Sequence, residues 1–150
     1  MAQLLMILVV VFCTAAVQSK IFRTCENNKF TPTDVRIRGC NKSPCLIPRG
    51  KKLNFEFDFA APEATTTLKP KMTIIVGKKK INYDFDDKNS CDNLISGKCP
   101  LKKSDKATYS LETLLPKKTP LIKAAIQLEF LDDKGKSLTC GVVDVKVVRK

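Results

Sequence analysis

No histidine and no tryptophan occur in this sequence. Without histidine, the Ser-His-Asp and Cys-His devices of nucleophilic catalysis cannot be built, nor can a His-based nuclease or an imidazole zinc site. Glycine is sparse, six in 150 residues, and is never gathered into a loop that could cradle a phosphate. The remaining acid-base candidates are the adjacent carboxylates Asp86-Asp87 and Asp132-Asp133. Both pairs lie in polar turn sequences, and neighbours on a strand point to opposite faces, so solvated turn acids are the expected reading. An enzyme, a metal site and a bound cofactor are therefore not expected.

Long apolar runs are also scarce. Only Leu4 to Ala16 forms one, followed by the small-residue exit Val17-Gln18-Ser19, and charged residues interrupt every later apolar segment. This reads as a signal peptide over residues 1–19 preceding one domain over residues 20–150. Residues 1–19 carry no Lys or Arg, so the usual positive n-region is missing. Cleavage after Ala16 and a retained anchor stay as alternatives, although the run is shorter than the roughly 20 apolar residues of a comfortable span. The expected destination is the extracellular space or the lysosomal lumen, as a soluble protein.

Removing the leader takes Cys13 with it and leaves six cysteines: Cys25, Cys40, Cys45, Cys91, Cys99 and Cys140. In an oxidising compartment an even set reads as disulfides, and the spacings lack the CxxC pairs that zinc would want. Many pairings are open in principle. The two close pairs suggest clips at Cys40 with Cys45 and at Cys91 with Cys99, leaving Cys25 to tie to Cys140. That last bond would close a loop of over a hundred residues, a constraint worth about 4.7 kcal/mol by chain entropy.

Apolar residues then recur at every second position between turn signals, which is the period of a strand. Leu53, Phe55, Phe57 and Phe59 alternate with Asn54, Glu56 and Asp58. Tyr109, Leu111 and Leu115 repeat the pattern, as do Ile122, Ala124, Ile126, Leu128 and Phe130. Weaker candidates span residues 30–38, 68–76 and 81–85, and a final strand spans 138–148, where a change of apolar phase suggests a bulge near Val142. About seven antiparallel strands with Pro- and Gly-bearing turns argue for an all-β, immunoglobulin-like sandwich, a closed barrel being the alternative. The missing tryptophan and inter-sheet cysteine spacing speak against antibody ancestry.

The net charge is +12. Its lysines cluster at Lys51-Lys52, Lys78-Lys79-Lys80, Lys102-Lys103 and Lys117-Lys118, all at turns or strand ends, where solvated loop charge is the ordinary outcome. They are scattered without interleaved aromatics, so nucleic acid is not an expected partner, and an anionic membrane surface suits the charge better. Asn41-Lys42-Ser43 is a glycosylation sequon squeezed between Cys40 and Pro44.

Three stretches carry a resemblance: CNKSPCLIPRGKKLNFEF, SGKCPLKKSDKATYSLETLLP and LEFLDDKGKSLTCGVVDVKVV. Together with the cysteine framework over Cys25 to Val148, they resemble the MD-2-related lipid-recognition (ML) domain family, and within it the Niemann-Pick type C2 proteins and mite group 2 allergens. The resemblance implies an immunoglobulin-like sandwich, the same three disulfides, and a lipid or sterol held between the sheets. If the interior is hollow, its lining would come from Phe57, Phe59, Met72, Ile74, Val76, Tyr83 and Phe85, with Leu111, Leu115, Ile122, Ile126, Leu128 and Val143 completing it. Plain core packing is the ordinary reading for any one of them.

Sterol-binding members carry apolar and aromatic residues at the pocket mouth, where this chain has Lys117, Lys118 and Thr119 before Pro120. A lysine at that rim would suit an anionic head group such as a fatty acid's. The expected function is that of a secreted carrier of a small hydrophobic lipid, fatty acid or sterol, working as a monomer. Contact with an anionic membrane or a receptor is the further expectation. The alternative is an innate-immune module that recognises microbial lipid or a partner protein through its basic surface.

Overall fold

The computed structural model describes residues 20–83 and 89–149. The proposed leader with Cys13, the Asp86-Asp87 pair and Phe85 lie outside the described residues. Ten strands form among those described: β1 (Phe22–Thr24), β2 (Asp34–Ile37), β3 (Cys45–Pro48), β4 (Lys52–Ala60), β5 (Lys69–Val76), β6 (Lys79–Tyr83), β7 (Leu94–Ser96), β8 (Lys106–Leu114), β9 (Lys123–Leu131) and β10 (Ser137–Val148), with a short 3-10 turn at Ser90–Asn93. One sheet runs β1-β10-β9-β5-β6 with β3 also on β10, and the other runs β2-β4-β8-β7. The expected two-sheet sandwich is what forms. β3 pairs with β10 in parallel, and every other strand pair is antiparallel.

β4 shows why the sheets face one another. Its Phe55, Phe57 and Phe59 are buried, while Asn54, Glu56 and Asp58 between them look outward. Phe130 of β9 meets these rings from the other sheet, with centroids 5.4 Å from Phe57, 5.5 Å from Phe59 and 4.9 Å from Tyr109. Such aromatic pairs add about 0.5–1.5 kcal/mol each beyond the area they bury. Gly141 makes the close approach feasible, because a Cβ there would lie 2.8 Å from Pro32 Cγ and 3.1 Å from Phe57 Cε2.

The outer face of β2 and β4 is closed by charge. Arg36 donates to Asp34 at 2.8 Å, Glu56 at 2.9 Å and Asp58 at 2.6 Å. Burial pushes the Asp58 carboxyl up, but hydrogen bonds from Arg36 and Thr108 and the guanidinium charge outweigh it, holding Asp58 below the usual carboxylate range.

Two local expectations are corrected. The irregularity in β10 falls between Ser137 and Thr139, not near Val142. Val143 and Val145 point into the main core, while Cys140 and Val142 point the other way, into a small cluster with Cys25 and Ala125. An outward apolar pair thus imitates a phase change in the sequence. Asp132, expected in solvent, is only 4% exposed. Its Oδ1 accepts the backbone N–H groups of Lys134 at 2.9 Å and Lys136 at 2.7 Å, clasping the β9–β10 turn.

Disulfides join Cys25 to Cys140, Cys40 to Cys45 and Cys91 to Cys99. The first spans 115 residues and fastens the N-terminal segment to β10.

Candidate functional site

Inward-facing side chains divide into two groups along the sandwich. Phe57, Phe59, Leu128 and Val143 are covered on all sides and belong to the main core with Phe130, Leu68 and Tyr109. Towards β5 and β6 the cover thins. Met72 pairs in register with Leu128 and Ile74 with Ile126, so Met72, Ile74 and Val76 share the inward phase of β9, yet each stays half-exposed. Ile126 and Ala124 of β9 are likewise incompletely buried, as are Leu53 and Leu111 on the opposing sheet and Leu115 just beyond β8. Six of these, Met72, Ile126, Leu53, Leu111, Leu115 and Ala124, still touch the core cluster.

On β6 the inward phase is open. Ile81, opposite Ile74, is 44% exposed and Tyr83, opposite Met72, is 50% exposed. All five residues of β6 are exposed. The register makes this a continuous apolar strip, from Tyr83 and Ile81 through Met72 and Ile74 to Ile126, running from the open edge to the aromatic core. Ile122 sits half-buried just before β9, where its carbonyl accepts from Val147 N at 2.8 Å. Apolar side chains left half-covered on an inner face offer surface that a hydrocarbon can cover.

The rim residues follow a turn after β8 that is closed by a hydrogen bond from Thr119 N to Pro116 O at 3.0 Å. Lys118 and Pro120 are exposed and Thr119 is half-buried. Lys117 leans across Gly50, whose missing Cβ would stand 2.8 Å from Lys117 Cγ. It thereby joins Arg49, Lys51 and Arg149 around a separate recess of about 510 Å³. The adjacent Lys52 is instead paired with Glu112 at 2.7 Å, a contact that raises the lysine and lowers the acid from their ordinary values.

Sequence reasoning did not single out Arg49, Arg149, Leu53 or Ala124 as site residues. Pro48, Arg49 and Gly50 have the composition of a turn, but nothing in the sequence places residue 149 beside them. Among the described residues no group of His, Cys, Asp and Glu could hold a metal ion, and no helix is long and apolar enough to cross a membrane.

The ML domain family model matches residues 19–147. The chain is 32% identical over 120 residues to the mite group 2 allergen Gly d 2.02 of Glycyphagus domesticus, covering 80% of this chain and 91% of that one. It is 30% identical over 126 residues to Lep d 2 of Lepidoglyphus destructor, covering 84% and 85%. Its fold is similar to a Niemann-Pick type C2 protein from Japanese carpenter ant, with a TM-score of 0.76 at 23% identity over 85% of this chain and 98% of that one. Chicken MD-1, whose crystal structure is a complex with lipid IVa, aligns with a TM-score of 0.53 at 15% identity, covering 83% and 86%.

Proposed function

The chain belongs to the ML domain family, and on that premise we propose that it is a secreted, non-catalytic carrier that holds a small hydrophobic lipid between its sheets and releases it unchanged. The observation that carries this reading is the incompletely covered strip of Met72, Ile74, Ile81, Ile126 and Leu111 beside a closed aromatic core. A hydrocarbon guest would lie on that strip, with Phe57, Phe59, Leu128 and Val143 as the solid floor. Val76, Leu115 and Ile122 would border it towards the β8–β9 loop, and Tyr83 would stand at the open edge.

The energetics are adequate for a reversible carrier. Covering about 300 Å² of hydrocarbon at roughly 25 cal/mol/Å² gives ~7 kcal/mol before association costs, which suits micromolar binding once polar contacts contribute. A fatty acid fits better than a sterol, because Lys118 stands exposed where an apolar rim residue would suit a sterol, Lys117 itself being turned into the separate basic recess. The extracellular space or the lysosomal lumen is the place of action consistent with three disulfides.

Leu111→Trp tests the reading, because it fills space on the inner face of β8 without adding charge. Fluorescent fatty-acid and sterol analogues should bind the folded variant at least about tenfold more weakly, and native mass spectrometry of the purified wild type should show a co-purified lipid. Undiminished uptake by the folded variant, or a wild type that carries no lipid and takes none up, would overturn the reading.

A further inference from the structure

Three distant stretches of chain meet where β3 turns into β4, and they bring four cations with them. Arg49 N donates to Val148 O at 3.1 Å, Gly50 N to Leu115 O at 2.7 Å, and Leu115 N to Lys51 O at 3.0 Å. Arg49 Nη1 also reaches Thr119 O at 3.4 Å. These bonds hold Arg49, Lys51, Lys117 and Arg149 around one recess of about 510 Å³, which Gly50 also lines. Gly50 has φ +76°, a conformation that side chains rarely adopt, and its bare Cα lets the Lys117 stem cross.

None of the four cations has an ion-pair partner among the described residues, whereas Arg23, Arg36, Lys52 and Lys71 all do. Like charges gathered in a concave recess repel, and an anion set among them relieves that repulsion. We propose that this recess is a binding site for a doubly charged oxyanion, the phosphate of a monoester. Two guanidinium groups supply planar forks for two oxygens, and the two ammonium groups supply point charges for the rest. A single carboxylate would leave most of that positive charge uncompensated, while a phosphate monoester brings about −1.5 to −2 at neutral pH. The assignment does not require a lipid between the sheets. A free ester and a lipid head group present the same chemistry.

The test is a titration of the processed, disulfide-bonded protein with inorganic phosphate, followed by backbone amide NMR. The expected result is saturable shifts centred on Gly50, Lys51, Lys117 and Arg149. In Arg49→Gln with Arg149→Gln, the dissociation constant should rise about tenfold or more. Lys79→Gln with Lys80→Gln removes the same charge from the β5–β6 hairpin and should leave it within about twofold. Equal weakening by both pairs, or shifts that never saturate, would mean a diffuse basic field and overturn the site. Should the Arg49 variant fail to fold, Lys51→Gln with Arg149→Gln carries the same expectation.

Co-sedimentation with phosphatidylcholine vesicles, with and without phosphatidic acid, then separates the sources. Vesicle binding lost in the Arg49 and Arg149 variant supports a head group, and phosphate binding without vesicle binding supports a soluble ester. Failure of hydrocarbon uptake would leave the phosphate result standing, so the two proposals fail separately.

Discussion

Ile126 and Leu128 lie two residues apart on one face of β9, and a sandwich closed on one flank and open on the other requires them to answer the same truncation differently. Leu128 is 0% exposed and pairs with Met72 on one side and Gly141 on the other. Its replacement by Ala leaves a hole inside the buried cluster that includes Phe57, Phe59 and Phe130. A truncation of that kind costs about 2–5 kcal/mol. Ile126, between Ile74 and Val143, is only half covered, so Ile126→Ala removes less buried surface and leaves a space that solvent reaches. Its cost should be about 1 kcal/mol.

Urea denaturation of the lipid-free proteins reads this difference directly. The slopes should agree, and the Leu128→Ala midpoint should fall at least about twice as far. For a fluorescent fatty acid the order should reverse. Ile126→Ala removes methyl groups from the surface the guest covers, at about 0.8 kcal/mol for each lost CH₂, and should weaken binding roughly three- to tenfold. Leu128→Ala should stay within about twofold. Equal losses of stability, or a guest more sensitive to Leu128 than to Ile126, would refute the division of the interior into a floor and a guest surface.

Two other expectations concern stability. The Cys25–Cys140 bond spans 115 residues and the Cys40–Cys45 bond spans 5, so loop entropy assigns about 4.8 and about 2 kcal/mol to them. Denaturation of the two paired Cys→Ser variants should show the larger loss for the long loop, and equal losses would count against the entropic account. Asp58 has a folded-state pKa below its ordinary value of 3.8, so its contribution is present above that value and is lost as pH falls through the folded pKa. Wild type should therefore lose stability below about pH 4, and Arg36→Met should flatten that decline and be most harmful near neutrality, where Asp34, Glu56 and Asp58 face one another uncompensated. Parallel pH profiles for the two proteins would contradict it.

Most of the fold is legible because alternation is a local signal. The Phe55, Phe57 and Phe59 series names a strand and its buried face from nine residues of sequence. β1, β3 and β7 have three or four residues each, too few for any period to show, and they become strands only because β10 and β8 offer them backbone partners. The misplaced bulge has a related cause. Cys140 and Val142 are apolar on the outer face because Cys25 is bonded there, and strand periodicity cannot know of a cover supplied from 115 residues away.

Site residues are harder to read for the same physical reason. In the sequence Ile126 and Leu128 are equivalent members of one alternating series, and what separates them is how much of the other sheet lies above each. β8 and β4 bring the rings of Tyr109 and Phe57 against Phe130, and Leu128 is fully buried in the same cluster, whereas β6 is an edge strand whose Ile81 and Tyr83 remain open. Alternation fixes a direction for each side chain, and cover is a property of pairs of sheets. The basic recess pushes this further. A net charge of +12 predicts attraction for anions in general, and only hydrogen bonds among residues 49–51, 115–119 and 148, from the backbone and from the Arg49 guanidinium, convert four of those charges into a place. Composition therefore constrains what kind of ligand this chain attracts, while the connections that close the sandwich decide where one can be held.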